Sequence, residues 1–201
     1  MVNTIHNLLI RSGRRGACAL VLLCLPLLAG RVEAQKLDPV AHKAGIVFNL
    51  VKFARWPDSA FPDKGKKKAP IVIGVIDDSA IAKALERLAK DGYNGRDVQV
   101  RKIDDNAETK GYHLIYTASQ DSGALSALVR KTAKQPTILV ASTESLDALA
   151  LGIDVNLVPK KLRKGNKIVL KLLLEINLKT LKKRSLSIDS RVLRLAQRVV
   201  K

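Results

Sequence analysis

PIVIGVIDDSAIAKALERLAKDGYNGRDVQVRKI, residues 70–103, holds the pattern that decides the fold. Residues 70–76 form an unbroken β-branched run between proline and Asp77-Asp78, which suits a strand buried on both faces. Ser79 can cap the next segment, whose apolar residues Ile81, Leu85 and Leu88 recur at helical spacing until Asp91-Gly92 stops it. DVQVRKI then alternates apolar and polar residues, as a half-exposed strand does. A strand, a helix and a second strand of this length define a βαβ unit.

The same rhythm continues outward. YHLIYT reads as a strand, SGALSALVRKTA as a helix and TILVAS as a strand, which predicts an α/β fold with a mostly parallel sheet and helices on both faces. Upstream, Asp38-Pro39 opens a helix through VAHKAGIVFNLVKFAR, and Trp56-Pro57 closes it because the residue before proline avoids helical backbone. After Gly152 the pattern changes. IDVNLV and KIVLKLLLEI read as a C-terminal antiparallel hairpin joined by a basic loop, PKKLRKGN. Two closing helices are expected, NLKTLKKR and IDSRVLRLAQRVV, the second carrying Ile188, Val192, Leu195 and Val199 on one face and capped by Ser187 or Asp189.

The beginning of the chain concerns transport. Arg11, Arg14 and Arg15 precede the uncharged run ACALVLLCLPLLAG, and Val32 and Ala34 fit a cleavage site. Residues 1–34 are therefore expected to be a cleaved signal peptide, leaving a periplasmic domain over residues 35–201 without a transmembrane segment. Cys18 and Cys24 leave with it, so the exported domain can build neither a disulfide nor a thiolate site. Cleavage removes four arginines and one glutamate, taking the formal charge from +18 to +15. That charge favours acidic partners or anionic surfaces, and export argues against nucleic acid.

Catalytic templates are missing from the sequence. His42 and His113 are the imidazoles left after cleavage, and neither stands in a metal-binding or triad spacing. There is no GxSxG elbow or P-loop, and Gly74 stands alone where a dinucleotide site needs three glycines. No enzyme, metal or cofactor is expected. Asp77-Asp78 at a strand end allows two readings, a helix cap or, with Ser119, a small-ligand site.

FNLVKFARWPDSAF, residues 48–61, concentrates all three phenylalanines and the single tryptophan. Phe48 and Phe53 follow the apolar stripe of the first helix. Trp56 and Phe61 are either core plugs or interface anchors. Together with IVIGV (71–75), NGRDVQV (94–100), EIN (175–177) and LSIDSRVLRLA (186–196), the Phe53 to Trp56-Pro57 motif resembles the YfiR-like family of small periplasmic proteins. The resemblance covers essentially the whole exported domain. It implies a regulator that represses the periplasmic sensory domain of a membrane-anchored diguanylate cyclase, lowers cyclic di-GMP and opposes biofilm formation. The best-known member carries redox-responsive cysteines, which the exported domain here lacks.

On this reading Trp56, Pro57 and Phe61, flanked by Lys66 and Lys67, form a partner-binding rim. Phe53, Glu175, Asn177 and Arg191 make up the structural motif, with Asn177 capping a helix and Glu175 pairing with an arginine such as Arg191. A homodimer is compatible with such a module. Two alternatives stand beside the repressor, a small-ligand sensor and an accessory protein of an envelope sensor kinase or outer-membrane receptor.

Overall fold

The computed structural model describes residues 38–63, 68–165 and 167–201. The expected signal peptide, residues 1–34, lies outside the described residues, as do Lys66 and Lys67.

Helix α1 (Pro39–Phe53) starts where Asp38 accepts the Val40 N–H at 2.9 Å, with proline in the first turn. It ends earlier than expected. Ala54–Arg55 leaves the helix as a short strand, β1, pairing with Ser187–Ile188 far along the chain, and the Asp189 N–H reaches the Phe53 carbonyl at 2.9 Å. This pairing and Pro57 hold the segment extended before Trp56.

The central strand β2 (Ile71–Ile76) is buried along its whole length. Helix α2 (Ser79–Ala89) returns the chain to β3 (Val98–Lys102), a half-exposed edge strand parallel to β2. Asp78, rather than Ser79, caps α2 by accepting the Ile81 N–H at 3.0 Å. β4 (Leu114–Thr117), α3 (Ser122–Thr132) and β5 (Ile138–Ala141) extend the sheet on the other side of β2. Side chains alternate across the sheet. Ile73, Val75, Leu114, Tyr116 and Val140 pack with α1 and α2, whereas Ile76, Ile115, Leu139 and Ala141 pack with Leu125 and Leu128 of α3.

β6 (Val155–Lys164) pairs parallel with β5 and antiparallel with β7 (Lys167–Asn177), as the hairpin reading predicts. β7 matches KIVLKLLLEI to within one residue, but β6 runs well past IDVNLV. Residues 159–164, read as loop, continue β6 up to Gly165, which has φ 58°. Pro159 is tolerated because in this part of β6 its outer edge pairs with no other strand among the described residues.

Helix α4 (Leu178–Lys183) matches the first closing helix. The second is shorter than expected. After β8 (Ser187–Ile188), α5 (Ser190–Leu193) makes one turn capped by Asp189, and Ala196–Val200 becomes strand β9, parallel to β7. Ile188 and Val192 are buried as the stripe predicts, but Leu195 is 77% exposed. The outer edge of β7 offers a ladder of hydrogen bonds to a chain ending in valines, and that edge outweighs a local helical period. The sheet order is β3-β2-β4-β5-β6-β7-β9.

Candidate functional site

The rings of residues 53–61 converge on His113, which immediately precedes β4. The His113 N–H donates to the Val72 carbonyl at 2.9 Å, and its Nδ1 accepts the Val72 N–H at 3.0 Å. With Nδ1 an acceptor, the proton sits on Nε2, which donates to the Ala60 carbonyl at 3.1 Å. Burial pushes the imidazole pKa down; the Ala60 bond opposes this and the Arg96 charge adds to it. His113 is thus a neutral clasp joining β2, β4 and the 58–60 turn, consistent with a satisfied structural histidine.

Phe61 stacks on His113 with centroids 4.6 Å apart, and Trp56 meets both rings edge-on at 6.2 and 6.1 Å. The Trp56 indole N–H donates to the His113 carbonyl at 3.2 Å. Trp56, Pro57 and Phe61 are each half-buried, and Trp56 and Phe61 pack against the core on their inner side.

Arg96 covers the other side of Phe61, its guanidinium carbon 4.1 Å from the ring centre. It is presented by a two-residue turn at Asn94-Gly95, both at positive φ, closed by reciprocal backbone bonds between Tyr93 and Arg96 at 2.9 and 3.0 Å. Two guanidinium nitrogens bind Asp63 at 2.6 and 2.8 Å, and one also donates to the Ala69 carbonyl at 2.8 Å. Arg96 and the Ala69 N–H hold the Asp63 pKa down to about 2.

The opposite wall comes from the chain's end. Arg191 lies 4.8 Å from the Phe53 ring centre and binds Asp189 at 3.0 and 3.2 Å. These bonds and the Arg191 N–H depress the Asp189 pKa to about 2. Tyr93 donates its hydroxyl to the Lys52 carbonyl at 2.8 Å. Between the walls lies an open cleft of about 520 Å³, into which Lys52, Arg55, Arg96 and Arg191 bring positive charge against Asp58 and Asp189. It sits beside Ile71, at the amino end of β2, opposite the carboxyl ends where open α/β sheets hold small ligands.

Glu175 and Asn177 lie elsewhere. Asn177 caps α4 as expected, its side-chain oxygen accepting the Lys179 and Thr180 N–H groups at 3.1 and 3.3 Å. The expected Glu175–Arg191 pair is replaced: Glu175 faces Asn156 across the β6–β7 ladder and accepts from its amide at 3.4 Å, while Arg191 is held by Asp189 two residues away. Asp77 is exposed at φ 56°, and Asp78 is occupied by α2 and the Tyr116 hydroxyl at 3.3 Å. Ser119 accepts the Asp121 N–H at 3.2 Å, so these residues shape turns and caps.

The sequence reading missed a buried ion pair. Asp154 is fully buried and binds Arg184, the Thr180 hydroxyl at 2.6 Å and the Leu139 N–H at 2.7 Å. Burial pushes its pKa up and Arg184 pulls it back. The available signal was an aspartate inside the apolar run IDVNLV; Arg184 instead resembled one more surface charge at a helix end. Among the described residues no cluster of three or more His, Cys, Asp or Glu could hold a metal, and no helix is long and apolar enough to cross a membrane.

These features define an α/β domain whose elaborated surface is an aromatic cleft lined with cations at the amino ends of its strands. A family model described as YfiR/HmsC-like matches residues 41–197, and the chain belongs to that family, which is regulatory rather than catalytic. Among solved structures it is similar to a conserved domain protein from Vibrio cholerae, with TM-score 0.47 and 15% identity over 82% of this chain and 61% of the other. The chain thus spans about three-fifths of the length of that protein. No curated protein sequence matches it.

Proposed function

We propose that the protein, exported by cleavage after Ala34 as a single domain over residues 35–201, is a periplasmic regulator. It binds the periplasmic sensory domain of an inner-membrane diguanylate cyclase and holds it inactive, lowering cyclic di-GMP and opposing biofilm formation. The observation that carries the reading is the cleft built from the family's own motif: Phe53 and Trp56 on one side, and Arg191 from the closing segment on the other. Trp56 and Arg96, both half-buried and held in place by neighbours, have the character of interface anchors, since little ordering entropy remains to be lost on docking. Trp56, Pro57 and Phe61 supply the apolar contact, and Lys66 and Lys67 extend the basic flank toward an acidic partner face. Binding acts by population shift, favouring the inactive arrangement of the partner.

The test is a pull-down from detergent-solubilised membranes with the tagged protein and an Arg55→Glu variant. Arg55 is exposed in the cleft and makes no salt bridge among the described residues; its charge helps to lower the Asp189 pKa, so the variant is first checked for an unchanged unfolding midpoint. Recovery of a diguanylate cyclase by wild type and its loss with the variant supports the proposal. Recovery of a sensor kinase or receptor instead replaces the cyclase in it, and equal recovery by both proteins removes the cleft from it.

A further inference from the structure

The β6–β7 hairpin outgrows its sheet. β5 pairs with β6 only at Val155 and Asn156, and β9 pairs with β7 only over residues 174–177. Residues 158–164 and 167–173 therefore pair with each other alone among the described residues, as a two-stranded arm about 20 Å long at ~3.3 Å per residue. An isolated ribbon of this kind is marginal in water.

The arm's composition does little for its own stability. Residues 157–174 contain six basic side chains and no acidic one. Lys160 stands directly opposite Lys171, a register in which like charges repel. Lys160, Lys161, Arg163 and Lys171 are exposed. The remaining positions are almost all aliphatic: Val169 and Leu170 are 42% and 40% exposed, and Leu162, Leu172 and Leu173 are half-buried. The register puts Leu162 and Val169 on one face and Lys161 and Leu170 on the other, so each face mixes charge with hydrocarbon.

We infer that this arm docks on an anionic phospholipid surface. Positive charge without local neutralisation requires a negative counter-surface, and five of the six cations are lysines, whose flexible stems keep the ammonium at headgroup level while adjacent aliphatic groups enter the interface. An acidic protein groove or a nucleic acid would favour arginine forks and aromatic rings, and the arm has one arginine and no ring. Lying in the hydrated headgroup layer, the ribbon's unpaired edges remain solvated. The inference does not depend on the identity of the cleft's partner.

The experiment is vesicle co-sedimentation of the full chain on phosphatidylcholine alone and on phosphatidylcholine with about 30% phosphatidylglycerol, the anionic fraction supplying the surface potential. The wild type is compared with Lys160→Gln/Lys161→Gln/Arg163→Gln/Lys171→Gln and with Val169→Ser/Leu170→Ser, each checked for an unchanged unfolding midpoint. Any affinity contributed by the apolar N-terminal run is common to all three and cancels. Wild type should bind the anionic vesicles about a hundredfold or more tighter than the quadruple variant, at roughly fivefold per charge, and lose the advantage in about 0.5 M salt. The double serine variant should bind more weakly than wild type. Equal binding by wild type and the quadruple variant overturns the inference. So does an unchanged serine variant with tighter wild-type binding to a polyanion such as heparin than to the vesicles, an outcome that assigns the arm to an acidic polymer.

Discussion

Replacing Arg184 by leucine should destabilise the domain strongly, by a mechanism whose sign can be checked with pH. Asp154 is completely buried, the Arg184 side chain is 5% exposed, and the two are in direct contact. Without the guanidinium, the carboxylate keeps only the Thr180 hydroxyl and the Leu139 N–H. An uncompensated buried charge costs about 3–5 kcal/mol. For a domain of this size that lowers Tm by roughly 6–20 °C, at ~2–4 °C per kcal/mol. Denaturant titration followed by circular dichroism and by the emission of Trp56, the single tryptophan, would measure it at both the core and the cleft. With Arg184 gone, burial raises the Asp154 pKa without its main opponent. At Asp154 the folded state then binds more protons than the unfolded chain above pH about 4, so the variant's deficit relative to wild type should shrink as pH falls and grow as pH rises. Asp154→Leu/Arg184→Leu should be more stable than Arg184→Leu alone, because an apolar pair leaves no charge behind. A loss below about 1 kcal/mol for Arg184→Leu, or a deficit relative to wild type that grows on acidification, would refute the reasoning.

Three further outcomes follow from the cleft. His113 has a lowered folded pKa, so as pH drops below about 6.5 the unfolded chain takes up a proton that the folded state refuses, and stability falls; the urea midpoint of wild type should decline from pH 7 to 5 more steeply than that of His113→Gln, and parallel slopes would count against the clasp. Asp63→Asn should loosen the segment around Asp63, seen at neutral pH as faster tryptic cleavage at the neighbouring lysines, and wild type should lose its advantage in urea midpoint over the variant as pH falls from about 4 toward about 2, where Asp63 takes up its proton. Trp56→Phe removes the indole donor from the His113 carbonyl but retains a ring, so a cost of about 1 kcal/mol is expected with partner binding preserved, measurable by unfolding and pull-down side by side.

The parallel half of the fold was legible because each of its elements carries its own punctuation: Asp38-Pro39, the Asp77-Asp78 boundary, Asp91-Gly92 and the buried run of β2 act within a few residues of the structure they specify. The misreadings fall where a distant strand decides. Residues 159–164 have proline and lysines in place of a strand pattern, and only the register with residues 167–172 makes them extended. The final helix had a sound period from Ile188 to Val199, but the free edge of β7 captured its second half. Asp154 and Arg184 are separated by 30 positions, and nothing near either residue announces the other.

The same distinction explains the concentration of rings near the end of α1. Phe48, 4% exposed, is spent on the core, whereas Phe53, Trp56 and Phe61 stop halfway, each held on its inner side. His113, 57 positions from Trp56 and 53 from Ala60, supplies the platform; Arg96 and Arg191 cover the ring faces from two further segments. Local sequence could specify the rings but not the platform or the cations that align them. The rings are tied through His113 to β2 and β4, so on the proposed reading a partner would meet a shape that exists before it arrives. Exchanges at the rings will therefore register first as lost stability. Exchanges at the exposed cleft cation Arg55 should register in recognition, with little effect on the fold.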